Sequence, residues 1–128
     1  MIDRSSPPLV SILKQGDYLI ASIHTALDDA ELRRFQHDVV DQIGEKRARG
    51  LIIDVAALDV LDSYGSTCIR NIAEMARLRG ADTVLVGMQP DVAFAMVRLG
   101  LTMHGVHTAL DLEEGLQLLG ELGGSRVG

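Results

Sequence analysis

Tryptophan is absent from this 128-residue chain, and Phe and Tyr occur only twice each. The core must therefore come mostly from Leu, Ile, Val, Ala and Met. A single cysteine, Cys68, rules out an internal disulfide and fits a reducing cytosol. No run of ~18 apolar residues exists, so no membrane span is expected. Met1 to Pro8 is polar, carries Asp3 and Arg4, and lacks the apolar stretch of a signal peptide. Basic residues are the minority, and the formal net charge of −6 argues against a nucleic-acid surface, which is normally basic. Neither Gly-x-Gly-x-x-Gly nor Gly-x-x-x-x-Gly-Lys-Ser/Thr occurs, so a dedicated phosphate loop is not expected. Gly-x-Ser-x-Gly is missing too, which removes support for a nucleophile elbow.

What is present is an apolar content of 47%, enough for one domain with a real core. Leu9 to Lys14 and Tyr18 to Ile23 read as strands around a Gln15-Gly16-Asp17 turn, hence an antiparallel hairpin. Asp28 and Asp29 open a first helix, whose apolar stripe is Leu32, Phe35, Val39, Val40 and Ile43. Lys46, Arg47 and Arg49 sit near its end, and Gly50 is expected to stop it. Leu51 to Val55 is a near-continuous apolar strand of the buried parallel type, interrupted by Asp54, which needs a partner or an exposed strand end. Cys68, Ile69, Ile72, Ala73 and Ala76 mark a second helix, ended near Gly80. Thr83 to Val86 is another buried strand. Pro90 begins a third helix, with Val92, Ala93, Met96 and Val97 as its apolar face. Val106 to Ala109 is a short last strand. Asp111 caps a fourth helix in a capping-box-like pair with Glu114, and Leu112, Leu116 and Leu119 line its inner face. The order β-β-α-β-α-β-α-β-α implies an α/β domain, a mainly parallel mixed sheet with an antiparallel edge strand, and right-handed crossovers. Residues 9–122 form that domain, with residues 1–8 and 123–128 as flexible ends.

The candidate chemistry concentrates at Asp62-Ser63-Tyr64-Gly65, between an apolar run and the second helix. Ser63 can be a helix cap, a nucleophile or the target of a kinase. As a cap it would accept a backbone N–H, with Asp62 as a near-cap anion. Gly65 removes a side chain beside it, and Ser66 and Thr67 keep the neighbourhood small and polar. Nothing in the spacing of His24, His37, His104 or His107 ties one of them to Ser63 in a triad. His104-x-x-His107 is the only close histidine pair; a zinc site normally needs three or four ligands, so these read as loop histidines and no metal is expected. Cys68 falls on an inner helical stripe, as a buried inert thiol would.

Strand, Asp-Ser-x-Gly, helix resembles the phosphorylation motif of STAS domains, the anti-sigma-factor antagonist family, and the resemblance runs from Leu9 to Leu122. Five stretches are similar to the stressosome branch typified by RsbS: Ile12-Leu13-Lys14, Leu27-Asp28-Asp29, Ile53-Asp54, Val86-Gly87-Met88-Gln89-Pro90, and Thr108 to Leu116. The resemblance implies a non-enzymatic, cytoplasmic protein without a cofactor, on which Ser63 is the phosphoacceptor. It implies an RsbT-like switch serine kinase as partner, RsbR-like STAS sensor proteins as neighbours, and a homo- or hetero-oligomer. Asp54, Asp62, Tyr64, Gly65, Ser66 and Thr67 are then the kinase-interface candidates. Gly65 follows the general family pattern, whereas RsbS proteins can carry a larger residue there. The alternatives are an anti-anti-sigma factor that binds a sporulation-type anti-sigma kinase, and a small-ligand module using the strand ends.

Overall fold

A computed structural model describes residues 8–98, 100 and 105–125. Among them the chain forms strands β1 (Val10–Gln15), β2 (Tyr18–Ile23), β3 (Gly50–Asp54), β4 (Asp82–Val86) and β5 (Val106–Ala109). The helices are α1 (Asp29–Lys46), α2 (Ser63–Leu78), α3 (Pro90–Arg98) and α4 (Leu112–Ser125). The sheet order is β1-β2-β3-β4-β5. β1 and β2 pair antiparallel, from Val10 opposite Ile23 to Gln15 opposite Tyr18. The other three pairings are parallel. The expected α/β architecture is the observed one.

Strand periodicity explains the layering. Leu19, Ala21, Ile23, Leu51, Ile53 and Leu85 point to one face, where α1, α2, and Val92 and Met96 of α3 close the larger core. Ile20, Ile52, Val84 and Val86 point to the other, covered by α4 through Leu116, Leu118 and Leu119. Leu51, Ile52 and Ile53 are each 0% exposed, because β3 is the central strand and both its faces are covered. This is why the sequence reads as an unbroken apolar run there.

Each crossover helix returns antiparallel to the parallel strands. The N-termini of the helices therefore gather at the pole where those strands end. Gly115 of α4 packs on Val86 and Leu119 on Gly50, so α4 runs the same way.

Several local expectations need correction. Gly50 does not stop α1. Arg47 does, in the left-handed region at φ 52, with its N–H directed to the Gly44 and Ile43 carbonyls. Gly50 is instead the first residue of β3, and a Cβ there would stand 2.9 Å from both terminal carbons of Leu119. On α3 only Val92 and Met96 are buried; Ala93 is half-buried, and Val97 is 78% exposed. On α4 the inner face narrows to Gly115 and Leu119, with Leu116 half-buried and Leu112 exposed. That helix also continues past Gly123 to Ser125, beyond the expected domain end.

Candidate functional site

The site lies at the end of β3. Asp54, half-buried at the last strand position, accepts a hydrogen bond from the Ala56 N–H at 2.9 Å and turns the chain out of the sheet. The loop is anchored to its neighbour: Val55 N–H donates to the Val86 carbonyl at 3.0 Å, and Gln89 Nε2 donates to the Ala56 carbonyl at 2.8 Å. Gly87 allows this close approach. Its φ is +79, and a Cβ would stand 2.8 Å from that of Ala56. The Gln89-Pro90 pair thus ties one loop to the other and then starts α3.

The second helix is capped one residue earlier than expected. Asp62, not Ser63, is the N-cap: its backbone is extended and its Oδ1 accepts from the Gly65 N–H at 2.8 Å. Ser63 is the first helical residue and is exposed. Its hydroxyl stands next to a carboxylate at the positive end of a 16-residue helix.

The other candidates divide. Tyr64 is 39% exposed, and Thr67, one turn after Ser63, is exposed on the same side. Gly65 and Ser66 face inward. A Cβ at residue 65 would meet Leu61 Cδ1 at 3.0 Å and Asp62 Oδ1 at 3.3 Å, so this glycine serves the cap and the loop beneath it. Ser66 is 4% exposed, and its hydroxyl has no hydrogen-bond partner among the described residues. As a surface candidate it is therefore corrected: it shares the buried stripe of Ile69, Ala73 and Ala76.

One part of the site escaped the sequence reading. Ile23, Leu27, Leu58, Val60, Leu61 and Ile69 line an apolar crevice of about 120 Å³ whose edge is Asp62 and Gly65. Val60 on its rim is 71% exposed. The apolar character of Leu58 to Leu61 was visible, but that it lies against the β2–α1 loop was not.

Histidines and the thiol have other company. His24 Nε2 lies 2.8 Å from Ser11 Oγ, and His37 pairs with Asp41 at 3.2 Å on α1. His107 is exposed on β5, and His104 lies outside the described residues. No group of three or more His, Cys, Asp or Glu gathers in a metal-holding arrangement among the described residues. Cys68 is buried, donating to the Leu32 carbonyl at 3.4 Å, and burial pushes its thiol pKa up. No helix among the described residues is long and apolar enough to cross a membrane.

The fold and site define a small α/β domain that offers a serine at a helix start, beside loops joined by hydrogen bonds. The chain belongs to the STAS-domain family, whose model matches residues 10–115. It is similar to a serine-to-glutamate variant of RsbS from Moorella thermoacetica, at 35% identity and a TM-score of 0.78, covering 89% of this chain and 97% of that one. A chain from a structure described as the molecular architecture of the stressosome, a signal integration and transduction hub, matches at 32% identity with a TM-score of 0.71, covering 88% and 98% of the two chains. Among curated proteins, the RsbT co-antagonist protein RsbRA of Bacillus subtilis is 25% identical over 112 residues, covering 88% of this chain; the chain spans 40% of that relative's length.

Proposed function

We propose that this chain is a non-enzymatic phospho-switch: a stressosome-type STAS scaffold that holds an RsbT-like serine kinase and releases it once Ser63 is phosphorylated. The carrying observation is the exposed Ser63 at the first position of α2, beside a cap supplied by another residue. The similarity to RsbS, and to a protein whose name makes it a co-antagonist of RsbT, supports the choice of partner. RsbR-like STAS proteins are the proposed neighbours in a larger assembly.

Chemistry supports the switch. A phosphate adds about −1.5 to −2 charges at neutral pH. At the start of α2 the helix dipole favours the anion, so the fold survives. At an interface, a dianion left without a cationic partner costs several kcal/mol. Asp62, Tyr64 and Thr67 share the exposed surface around Ser63 and contact the kinase, with Asp54 holding the loop behind them. Gly65 acts from below by allowing the cap.

The test is incubation with an RsbT-type kinase and ATP, followed by mass spectrometry and a binding assay. Phosphate on Ser63, tight binding by Ser63→Ala and weak binding by Ser63→Asp are expected. Phosphate on another residue, or equal binding by the two variants, refutes the proposal.

A further inference from the structure

The shared helix direction segregates charge. At the pole holding Ser63, helix caps and first turns carry Asp28, Asp29, Glu31, Asp62, Asp91 and Asp111. At the opposite pole the last turns and caps carry Lys46, Arg47, Arg77, Arg79 and Arg98. That pole also holds Asp17 and Asp82, whose backbones bond that of Arg49, so the cations gather locally, between the ends of α1 and α2.

That end contains a groove of about 470 Å³ between the C-termini of α1 and α2. Arg47, Arg49 and Arg79 line it together with Leu78, and no carboxylate lines it among the described residues. The groove has a shaped floor. A Cβ at Gly44 would lie 2.6 Å from Arg79 Nη1, so the absent side chain is the seat of that guanidinium. Leu78 on the rim is 88% exposed, the highest value among the exposed large hydrophobic residues described. Arg47 and Arg79 answer the negative ends of their helices. Arg49 belongs to no helix, and Leu78 answers no dipole, so helix capping alone does not account for the set.

We propose that this groove is a docking site for an acidic segment of a partner protein, a stretch of Asp or Glu carrying an apolar residue. Guanidinium forks match carboxylates in pairs, and Leu78 offers the apolar contact beside them. The site is at the far pole from Ser63 and shares no residue with the surface proposed for the phospho-switch.

The probe is a fluorescein-labelled glutamate-rich peptide with a single leucine, titrated against the full chain by anisotropy at low and moderate salt. A lysine-rich peptide of equal length is the control. Binding of the acidic peptide that weakens with salt is expected. It should fall about tenfold or more in Arg47→Gln/Arg49→Gln and stay unchanged in Arg33→Gln/Arg34→Gln on the outer face of α1. Should the double variant fail to fold, Leu78→Asp gives the same reading by placing a carboxylate on the rim. Equal weakening in both arginine pairs, or none in either, overturns the proposal. So does self-association in sedimentation that the groove variant abolishes, because the occupant would then be a second copy of the chain.

Discussion

Replacing Asp62 by alanine tests which of two adjacent residues holds α2 in place. The perturbation removes the acceptor of the 2.8 Å bond from the Gly65 N–H. Losing an N-cap side chain costs about 1 kcal/mol, within a range of about 0.5–2. The same change removes an anion from the positive end of the helix, worth about 0.3–1 kcal/mol when exposed. Asp62 is exposed, so the lower part of both ranges applies and the expected loss is about 1 to 1.5 kcal/mol. For a chain of this size that lowers Tm by roughly 3–6 °C. Urea and thermal unfolding read it directly. Asp62→Asn keeps the acceptor and discards the charge, so it should recover most of the loss. Ser63→Ala, which touches no cap, should stay within about 0.5 kcal/mol of the parent. The reasoning is refuted if Ser63→Ala is as destabilising as Asp62→Ala.

Two glycines with similar backbones should respond differently. Gly80→Ala at φ +84 meets nothing within 4 Å and should cost only the left-handed strain of about 1–2 kcal/mol; Gly87→Ala at φ +79 adds a 2.8 Å collision with Ala56 and should cost distinctly more by denaturant titration. Ser66→Ala deletes a buried hydroxyl without a partner and should be neutral or stabilising, leaving kinase binding unchanged; weaker binding would place Ser66 back at the surface. The buried Cys68 thiol ionises less readily in the folded chain than in the unfolded one, so the folded state binds more protons at high pH. Stability is then fully held below the ordinary thiol pKa of 9.0 and declines as pH rises through and beyond it, and Cys68→Ala should flatten that decline in unfolding curves taken at increasing pH.

Most of the fold was legible because long periodic runs decide it. The unbroken Leu51-Ile52-Ile53 run and the i, i+3, i+4 stripes of α1 and α2 each match what the packing buries. Asp28 was legible as the start of α1, and the structure completes the capping box with Glu31 at 2.8 and 2.9 Å. What was hidden turns on shifts of a residue or two. Asp62 and Ser63 are both good caps, and only the position of the Gly65 N–H chooses between them. Glycine is the usual left-handed stop, so Arg47 in that conformation left no trace, and Gly50 drew the assignment instead. On α3 the pattern was real but the supply of core was not. A nine-residue helix closes the sheet through Val92 and Met96, leaving Phe94 and Val97 at 70% and 78% exposure. The groove of arginines was unreadable, because Arg47 and Arg79 lie more than thirty residues apart and meet only when α1 packs on α2.

The one-residue shift of the cap changes what the site can do. If Ser63 were the cap, its oxygen would be held by a backbone N–H, and modifying it would compete with the helix start. Because Asp62 takes that task, the Ser63 hydroxyl is spared from it and exposed. Gly65 makes the division possible: it supplies the N–H, and a Cβ there would press on both Leu61 and the capping oxygen. Two opposing charges would then act on a phosphate at Ser63. The α2 dipole stabilises it by about 0.3–1 kcal/mol. Per unit of charge, the Asp62 carboxylate opposes it by a like-charge interaction of about 1 kcal/mol at ~4 Å in water. The two nearly cancel, so Ser63→Asp should leave Tm within a few degrees of the parent chain. A large fall in Tm would mean that the charge is felt by the fold itself, and a switch read only at an interface could not be built on it.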